Sequence, residues 1–177
     1  MEYAIIDTAW GAFGYVGTGR RLLATFLPAA KDRIRQDIRD RWPEAVENPM
    51  LLPAFHRQVV AYFEGRRTRF SVEVDLSELP VFRQAVLEAC RVIPYGTTVS
   101  YSELATQAGR RGAARAVGSA MANNPLPLVI PCHRVVRSDG SYGGFSSPEG
   151  VKQKEQMLLL ENALPAHSPG AGRRKTA

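Results

Sequence analysis

Short runs of β-favouring residues alternate with glycine turns over the first 27 residues of the chain. The runs occupy residues 3–8, 13–16 and 21–26, and glycine-containing turns separate each from the next. Such spacing is typical of a meander, in which tight turns join consecutive antiparallel strands. The pattern therefore predicts a small antiparallel sheet near the amino terminus.

Helical spacing follows the predicted sheet. Between residues 29 and 41, Ile34 and Ile38 lie four positions apart among charged residues, which predicts a short amphipathic helix. A second helix is predicted over residues 53–64, and alternation over residues 70–76 predicts one more strand, at a sheet edge. Nothing in residues 1–77 indicates chemistry, so we interpret them as an α/β scaffold domain.

The pattern changes to mostly helical from residue 78 onward. Helices are predicted over residues 81–92, from residue 98 to Gly109 with a hydroxyl cap, and over residues 113–121. The second and third of these are short and joined by a glycine turn, which is typical of a helix-turn-helix motif. A last helix is predicted to begin at the cap Ser147-Pro148-Glu149 and to run to Glu161.

These elements predict a two-domain α/β protein. The first domain, residues 1–77, carries the antiparallel sheet with its helices. The second, residues 78–164, is mostly α-helical and resembles a winged helix. Residues 165–177 are rich in proline, glycine and basic residues without periodicity, which predicts a disordered tail.

Composition narrows the protein class. The chain has 177 residues, of which 45% are hydrophobic, as in an ordinary globular protein. No apolar run approaches the roughly 20 residues of a membrane span, and no basic-then-apolar leader begins at Met1. We therefore expect a soluble cytoplasmic protein without membrane contact. The net charge of +6 owes three charges to Arg173, Arg174 and Lys175 in the tail, so charge alone is a weak argument for DNA binding.

The two cysteines of the chain, Cys90 and Cys132, are too few for a disulfide framework. His56, His133 and His167 lack the spacing of zinc ligands, so we expect neither a metal site nor a cofactor. Cys90 shares the apolar register of a predicted helix and is most simply a packed core residue. The remaining cysteine, Cys132, is the one with a chemical argument.

Cys132 follows an apolar, strand-like run at residues 128–130 that Pro131 ends, and His133 lies directly beside the thiol in sequence. A cysteine attacks as the thiolate, and a nearby imidazole that takes its proton raises the thiolate fraction. The alternative is a buried structural cysteine with an incidental histidine. The Cys-His pair considered alone favours this alternative.

The second helix of the helix-turn-helix carries alanine, glycine and serine where a major-groove reader would carry long polar side chains. Small residues let a helix approach the narrow minor groove closely, and Arg115 among them is placed to enter the duplex. Alternatively, these residues are small because the helix packs against a neighbour. The helix itself does not decide between the two interpretations.

Several motifs follow one another in the second half of the chain: PYGTTVSY at 94–101, AARAVG at 113–118, NPLP at 124–127, PCHR at 131–134, then Gly140 and a helix from Lys154 to Glu161. In these motifs, over residues 78–162, the sequence resembles the O6-alkylguanine-DNA alkyltransferases, also called methylated-DNA–protein-cysteine methyltransferases. Residues 1–77 look only loosely like the variable amino-terminal domain of that family.

The resemblance implies a direct repair reaction that each molecule performs once. Cys132 takes the alkyl group from O6 of guanine, with O4-alkylthymine as a further candidate substrate. His133 deprotonates Cys132 through a water, Glu161 orients His133, and Asn124 braces the turn that holds the site. Tyr101 rotates the target phosphate and donates a hydrogen bond to the base. The logic is that of a Cys-His-acid triad without a hydrolysis step.

The resemblance also implies a partner, double-stranded DNA containing O6-alkylguanine, bound by a monomer that in a prokaryote is associated with the nucleoid. A stacked base is out of reach, so the target guanine is flipped into a pocket, and Arg115 fills the gap. The predicted DNA-binding residues are Arg115, Tyr101, Ala116, Gly118 and Arg134. The predicted pocket residues are Val135, Phe145, Ser146 and Met121.

One departure from the family pattern lies in the glycine-rich loop. Gly143-Gly144 precedes Phe145, and aligning Lys154 and Glu161 with the family requires roughly two extra residues after it, which puts the base contact of Ser146 in question.

Three alternative functions are open to a chain with a Cys-His pair and a helix-turn-helix. A non-catalytic alkylated-base recognition protein would lack the cysteine, a cysteine hydrolase would need an oxyanion hole, and a transcription factor would need longer side chains on its second helix.

Overall fold

The computed structural model describes residues 1–164, so the tail predicted at residues 165–177 lies outside the described part of the chain. The chain divides into two compact units. The first comprises residues 1–78 together with residues 125–129, and the second comprises residues 79–124 and the chain from Ile130 onward. The two-unit α/β architecture agrees with the predicted fold class. The return of residues 125–129 to the first unit was not predicted.

The sheet of the first unit is built around three long strands: β1 (Glu2–Thr8), β2 (Gly11–Thr18) and β3 (Arg21–Ala29). They form the predicted antiparallel meander, with Glu2 opposite Gly17 and Thr8 opposite Gly11. The sheet is nevertheless mixed, because β4 (Val46–Glu47) pairs with β1 and β5 (Glu73–Val74) pairs with β3, both in parallel. The strand predicted over residues 70–76 is thus only two residues long.

Both predicted helices of the first unit are present: α1 (Lys31–Arg41) and α2 (Pro53–Phe63). Ile34 and Ile38 are the buried residues of α1, as their spacing predicts. Gly14 of β2 lets α1 lie close, because a Cβ at this position would collide with the Ile34 side chain. The Phe55 ring of α2 packs 5.2 Å from the Tyr15 ring at a near-perpendicular angle.

Residues 125–129 are tied to β3. The Thr25 backbone N–H donates to the Pro125 carbonyl at 3.0 Å, and the Thr25 hydroxyl donates to the Pro127 carbonyl at 2.6 Å. Leu128 and Val129 form a turn, with a φ of 82° at Leu128, and Ile130 forms an isolated β-bridge, so the run at residues 128–130 is not the expected strand-like segment. Neighbouring prolines explain the error, because a proline donates no hydrogen bond to a strand ladder.

The second unit contains the predicted helices α3 (Val81–Arg91), α4 (Tyr101–Gln107) and α5 (Ala114–Ala122), and the last helix α6 (Val151–Leu160). A parallel pair joins β6 (Val99–Ser100) to β7 (Val135–Val136). The helix predicted from residue 98 therefore begins only at Tyr101. Cys90 is fully buried on α3, as predicted.

The start of α6 corrects the prediction for residues 147–149. These residues form a turn, and the Gly150 N–H donates to the Ser147 carbonyl at 3.0 Å. Gly150 has a φ of 56°, which interrupts helical geometry, so the helix begins at Val151. Within residues 1–164, no helix combines the length and apolar character needed to cross a bilayer.

Candidate active site

Cys132 opens a single 3₁₀ turn that ends at Arg134. Its backbone N–H donates to the Ile130 carbonyl at 2.8 Å, and the Arg134 N–H donates to the Pro131 carbonyl at 2.9 Å. All three side chains of the turn are buried. A 3₁₀ turn is tight, so three consecutive side chains leave it in different directions and contact different elements of the second unit.

His133 is held by the residue that follows α6. Its Nε2 lies 2.7 Å from Oε1 of Glu161, and both side chains have no exposed surface. Burial is the largest influence on the pKa of His133 and lowers it below its ordinary 6.5, although Glu161 acts in the opposite direction. The ring is therefore neutral at pH 7. A neutral ring that donates from Nε2 to a carboxylate has Nδ1 as its basic nitrogen, which is able to take a proton.

Glu161 is the centre of a buried polar cluster. Besides His133, it accepts hydrogen bonds from Arg134 Nε at 2.8 Å, from Arg134 Nη2 at 3.0 Å and from the Gly96 backbone N–H at 3.1 Å. Burial alone would raise the pKa of Glu161, but the hydrogen bonds from His133 and Arg134 outweigh it and hold that pKa well below 4.5. The carboxylate is therefore ionised at neutral pH.

The structure contradicts the DNA-binding role predicted for Arg134. The residue is 6% exposed, and its guanidinium donates hydrogen bonds to both carboxylate oxygens of Glu161. Its Nη1 donates to the Ile93 carbonyl at 2.6 Å. An arginine held by a bidentate carboxylate pair has its donors engaged and is not available to a phosphate. The motif PCHR thus places a structural cation, not a DNA contact, after the Cys-His pair.

Asn124 is hydrogen-bonded to the turn that precedes Cys132. Its Nδ2 donates to the Ile130 carbonyl at 2.8 Å, and its side chain also hydrogen bonds to the thiol of Cys132. Burial raises the pKa of the Cys132 thiol above its ordinary 9.0, while the Asn124 hydrogen bond and the positive charge of Lys154 oppose this rise. The site at rest therefore holds a protonated thiol next to a neutral histidine, and the thiol loses its proton during the reaction.

A cavity of about 580 Å³ opens at Cys132. The residues predicted for the site that line it are Cys132, Tyr101, Arg115, Gly118, Met121, Phe145 and Ser146. Val135 is not among them, because it is fully buried and its carbonyl accepts a hydrogen bond from Lys154. A contact between the base and the main chain of Val135 stays a prediction.

The helix-turn-helix supplies one wall of this cavity. Ser100 caps α4 with a reciprocal pair of hydrogen bonds to Glu103. On α5, Arg115 and Ala116 are exposed, whereas Val117 and Met121 are buried. Small residues are thus exposed on α5. Their exposure favours close approach to the minor groove over packing against a neighbouring element. Ala116 lies on this exposed face of α5 but does not line the cavity.

Two charged residues at the site were missed by sequence reasoning. Lys154 on α6 is fully buried, and Arg137 lines the cavity. A signal for Lys154 is present, because it lies three and four positions before the buried Met157 and Leu158, on the same helical face. Arg137 has no such signal, since it lies outside any helix or strand.

Comparison with known proteins decides the family. The family profile "6-O-methylguanine DNA methyltransferase, DNA binding domain" matches residues 81–163. A methylated-DNA–protein-cysteine methyltransferase from Mycolicibacterium paratuberculosis is 37% identical over 97% of this chain and 96% of its own length. The mouse protein of the same name is 35% identical over 97% of this chain and 85% of its own.

The chain belongs to the methylated-DNA–protein-cysteine methyltransferase family. Its structure agrees with this, since the Mycobacterium tuberculosis OGT crystallised with DNA superposes with a TM-score of 0.78 at 35% identity, covering 94% of this chain and 96% of the other. The resemblance drawn from the separated motifs is thereby confirmed. The roles of individual residues in this methyltransferase remain predictions.

The glycine-rich loop of this methyltransferase offers a test of pocket shape. Gly143 has a φ of +68°, and a Cβ at this position would lie 2.8 Å from the Tyr101 hydroxyl oxygen. We expect Gly143→Ala to lower the free energy of unfolding by about 1–2 kcal/mol, because of the left-handed backbone. We also expect it to slow alkyl transfer by displacing Tyr101.

Gly144→Ala is the matched control for Gly143→Ala. A Cβ on Gly144 meets nothing within 4 Å. Urea denaturation and single-turnover transfer rates compare the two variants. Equal behaviour of both would show that the contact between Gly143 and Tyr101 has no role in the pocket.

Proposed function

We propose that the protein repairs alkylated DNA by moving the alkyl group from O6 of guanine to its own Cys132, once per molecule. The observation that carries this proposal is the position of Cys132, which lines a cavity of about 580 Å³ while the next residue, His133, is bonded to a buried carboxylate. Membership of the methyltransferase family supports the same reaction. We further propose that the protein is cytoplasmic. We also propose that it acts as a monomer, because one chain supplies every residue of the site.

The chemistry follows from the protonation states at rest. The neutral His133 takes the proton of the thiol, and the thiolate of Cys132 attacks the alkyl carbon in line with the departing O6. The sulfur–carbon bond forms as the carbon–O6 bond breaks, and its electron pair stays on the guanine. The Tyr101 hydroxyl, at the cavity wall, donates a hydrogen bond to the leaving base. In sum, the thiol loses one proton, and the restored guanine gains one.

The product thioether explains why each molecule acts once. A carbon–sulfur bond to a simple alkyl group has no good leaving group, and nothing in the proposed mechanism activates water to hydrolyse it. Regeneration would need a second nucleophile at the same carbon. The reaction is therefore stoichiometric rather than catalytic in turnover.

The DNA partner is proposed from the helix-turn-helix. A guanine reaches Cys132 only after it leaves the base stack, which costs a few kcal/mol. The exposed small residues of α5 allow close approach to the minor groove, and the exposed Arg115 is placed to fill the vacated position. A protein that recognises alkylated bases without reacting is less well supported, because such a protein has no use for a thiol in the cavity.

Intact-protein mass spectrometry tests the proposed function. The purified chain is mixed with a short duplex containing one O6-methylguanine, and the modified peptide is mapped. We expect a gain of one methyl group per molecule, located on Cys132. Tight lesion binding without any change of mass would instead favour the recognition protein.

Replacing Arg115 separates base flipping from chemistry. We expect Arg115→Ala to slow repair of O6-methylguanine in duplex DNA by on the order of tenfold or more, because the extrahelical base loses the side chain that replaces it. Reaction with free O6-benzylguanine, which needs no flipping, should change little. Single-turnover rates on both substrates measure the difference.

Arg39→Ala is the control, since it removes one positive charge from an exposed position of α1 in the first unit. It should leave both rates near the wild-type values. Equal losses on duplex and free base in Arg115→Ala would contradict the insertion of Arg115 into DNA.

A further inference from the structure

Lys154 is a buried cation that the proposed reaction does not use. It lies on α6 with no exposed surface, although lysine is among the residues that proteins almost never bury completely. Within residues 1–164 it forms no ion pair with a carboxylate. A buried ammonium without a carboxylate partner needs other contacts to replace its lost hydration, and its hydrogen bonds and ring contacts supply them.

The Lys154 ammonium joins two segments on either side of the cavity. Its Nζ donates to the Val135 carbonyl and to the Tyr142 carbonyl, each at 2.5 Å. Val135 is the residue immediately after the 3₁₀ turn, and Tyr142 immediately precedes Gly143 in the glycine-rich loop. One side chain therefore connects the end of the catalytic turn to the loop.

The same ammonium lies against two rings that line the cavity. Its Nζ is 5.9 Å from the ring centre of Tyr101 and 5.9 Å from that of Phe145. Both distances are within reach of a cation–π attraction, which is stronger where water is excluded. Lys154 thus contacts two parts of the cavity wall, the Tyr101 ring on α4 and the Phe145 ring in the glycine-rich loop.

Its charge also acts on the nucleophile. Burial lowers the pKa of Lys154 to about 8, and Cys132 and Cys90 act in the opposite direction. In turn the positive charge of Lys154 lowers the pKa of Cys132 and that of His133. The titratable groups around the ammonium are Cys132 and His133 of the turn, Cys90 of α3, Tyr101 of α4 and Tyr142 of the loop.

We propose that Lys154 is a positioning residue for the transfer: it fastens the glycine-rich loop to the strand after the catalytic turn and places a positive charge near Cys132. The loop wall and the thiolate are then stabilised by one ammonium. This inference rests on the proposed function for its reaction, but its effect on the thiol is independent of DNA.

Two substitutions separate the charge from the hydrogen bonds. Lys154→Gln retains an N–H donor and loses the charge, whereas Lys154→Arg retains the charge. Lys152→Gln, an exposed position of the same helix, is the matched control. Circular dichroism and thermal unfolding first establish that each variant is folded.

The first readout is the rate of Cys132 alkylation by iodoacetamide as a function of pH, with Cys90 modification excluded by peptide mapping. Removing an opposite charge from beside a thiolate shifts its pKa by about one unit or more. We expect the midpoint of Lys154→Gln to lie about that amount above the midpoint of Lys154→Arg, because the arginine keeps its charge over the whole profile. Lys152→Gln should keep the wild-type midpoint. Equal midpoints in Lys154→Gln and Lys154→Arg would overturn the electrostatic role.

The second readout is methyl transfer from an O6-methylguanine duplex, and it remains decisive if Lys154→Gln does not fold. Wild-type Lys154 loses its charge as pH rises through about 8, but an arginine does not. The rate of Lys154→Arg relative to wild type should therefore rise between pH 7 and pH 9. A constant ratio would contradict the proposal, whereas a wild-type protein that transfers no methyl group would contradict the proposed function instead.

Discussion

Replacement of Cys132 by alanine is expected to abolish methyl transfer while leaving binding to O6-methylguanine DNA intact. The reaction needs a sulfur nucleophile, and alanine supplies none. Cys132 is a small buried residue that lines the cavity, so the truncation leaves the cavity open to the base. Mass spectrometry should detect no methylated protein, and fluorescence anisotropy with a labelled duplex should detect binding comparable to that of wild type.

Cys90→Ala is the control for this experiment. Cys90 is fully buried on α3 and is absent from the cavity wall. We expect this variant to accept one methyl group per molecule, with a modest loss of stability from the small volume removed. Transfer that persists in Cys132→Ala and disappears in Cys90→Ala would show that the nucleophile has been misassigned.

Replacement of Glu161 by glutamine is expected to destabilise the protein and to slow transfer. The carboxylate is buried and compensates the charge of Arg134, so its removal leaves a buried guanidinium uncompensated. Breaking a buried pair in this way typically costs about 3–5 kcal/mol in the free energy of unfolding. Loss of the group that orients His133 should slow transfer by on the order of 10²-fold. Urea denaturation and single-turnover rates measure the two effects.

The pH dependence of stability gives this prediction a second test. Because the pKa of Glu161 is lowered from 4.5 on folding, its stabilising contribution is fully present above pH 4.5 and is lost as the pH falls below that value. The stability difference between wild type and Glu161→Gln should therefore narrow in acid. Glu149→Gln, at an exposed position before α6, should match wild type throughout. A difference that stays constant down to pH 3 would contradict the ionised, buried carboxylate.

The placement of Arg134 changes how the Cys-His-acid arrangement is understood. In the Ser-His-Asp triad the acid orients the histidine and stabilises its charged form. Here Arg134 engages both oxygens of Glu161, and burial holds His133 neutral. The carboxylate thus fixes the orientation of His133 while its charge is largely compensated by the arginine. The consequence is a neutral base and a protonated thiol at rest.

The sequence by itself determined the parts of this protein that depend on local spacing. The meander, the helices α1 to α5 and the adjacency of Cys132 and His133 follow from periodicity, turn residues and chain order. The small face of α5 is also a local property, because exposure of Ala116 needs only the 3.6-residue repeat and the apolar positions Val117 and Met121. Motif order was sufficient to indicate the family.

The tertiary structure decided everything that depends on partners distant along the chain. Glu161 reaches His133 across 28 positions, and Thr25 holds Pro127 across 102. No local pattern distinguishes an arginine that contacts DNA from one that neutralises a buried carboxylate, so Arg134 was assigned wrongly. Lys154 is a similar case, because lysine ordinarily marks a solvated helix face, and only the packed carbonyls and rings around it show that it is buried. Burial and pairing arise from the packed chain as a whole, which is why these roles required the fold.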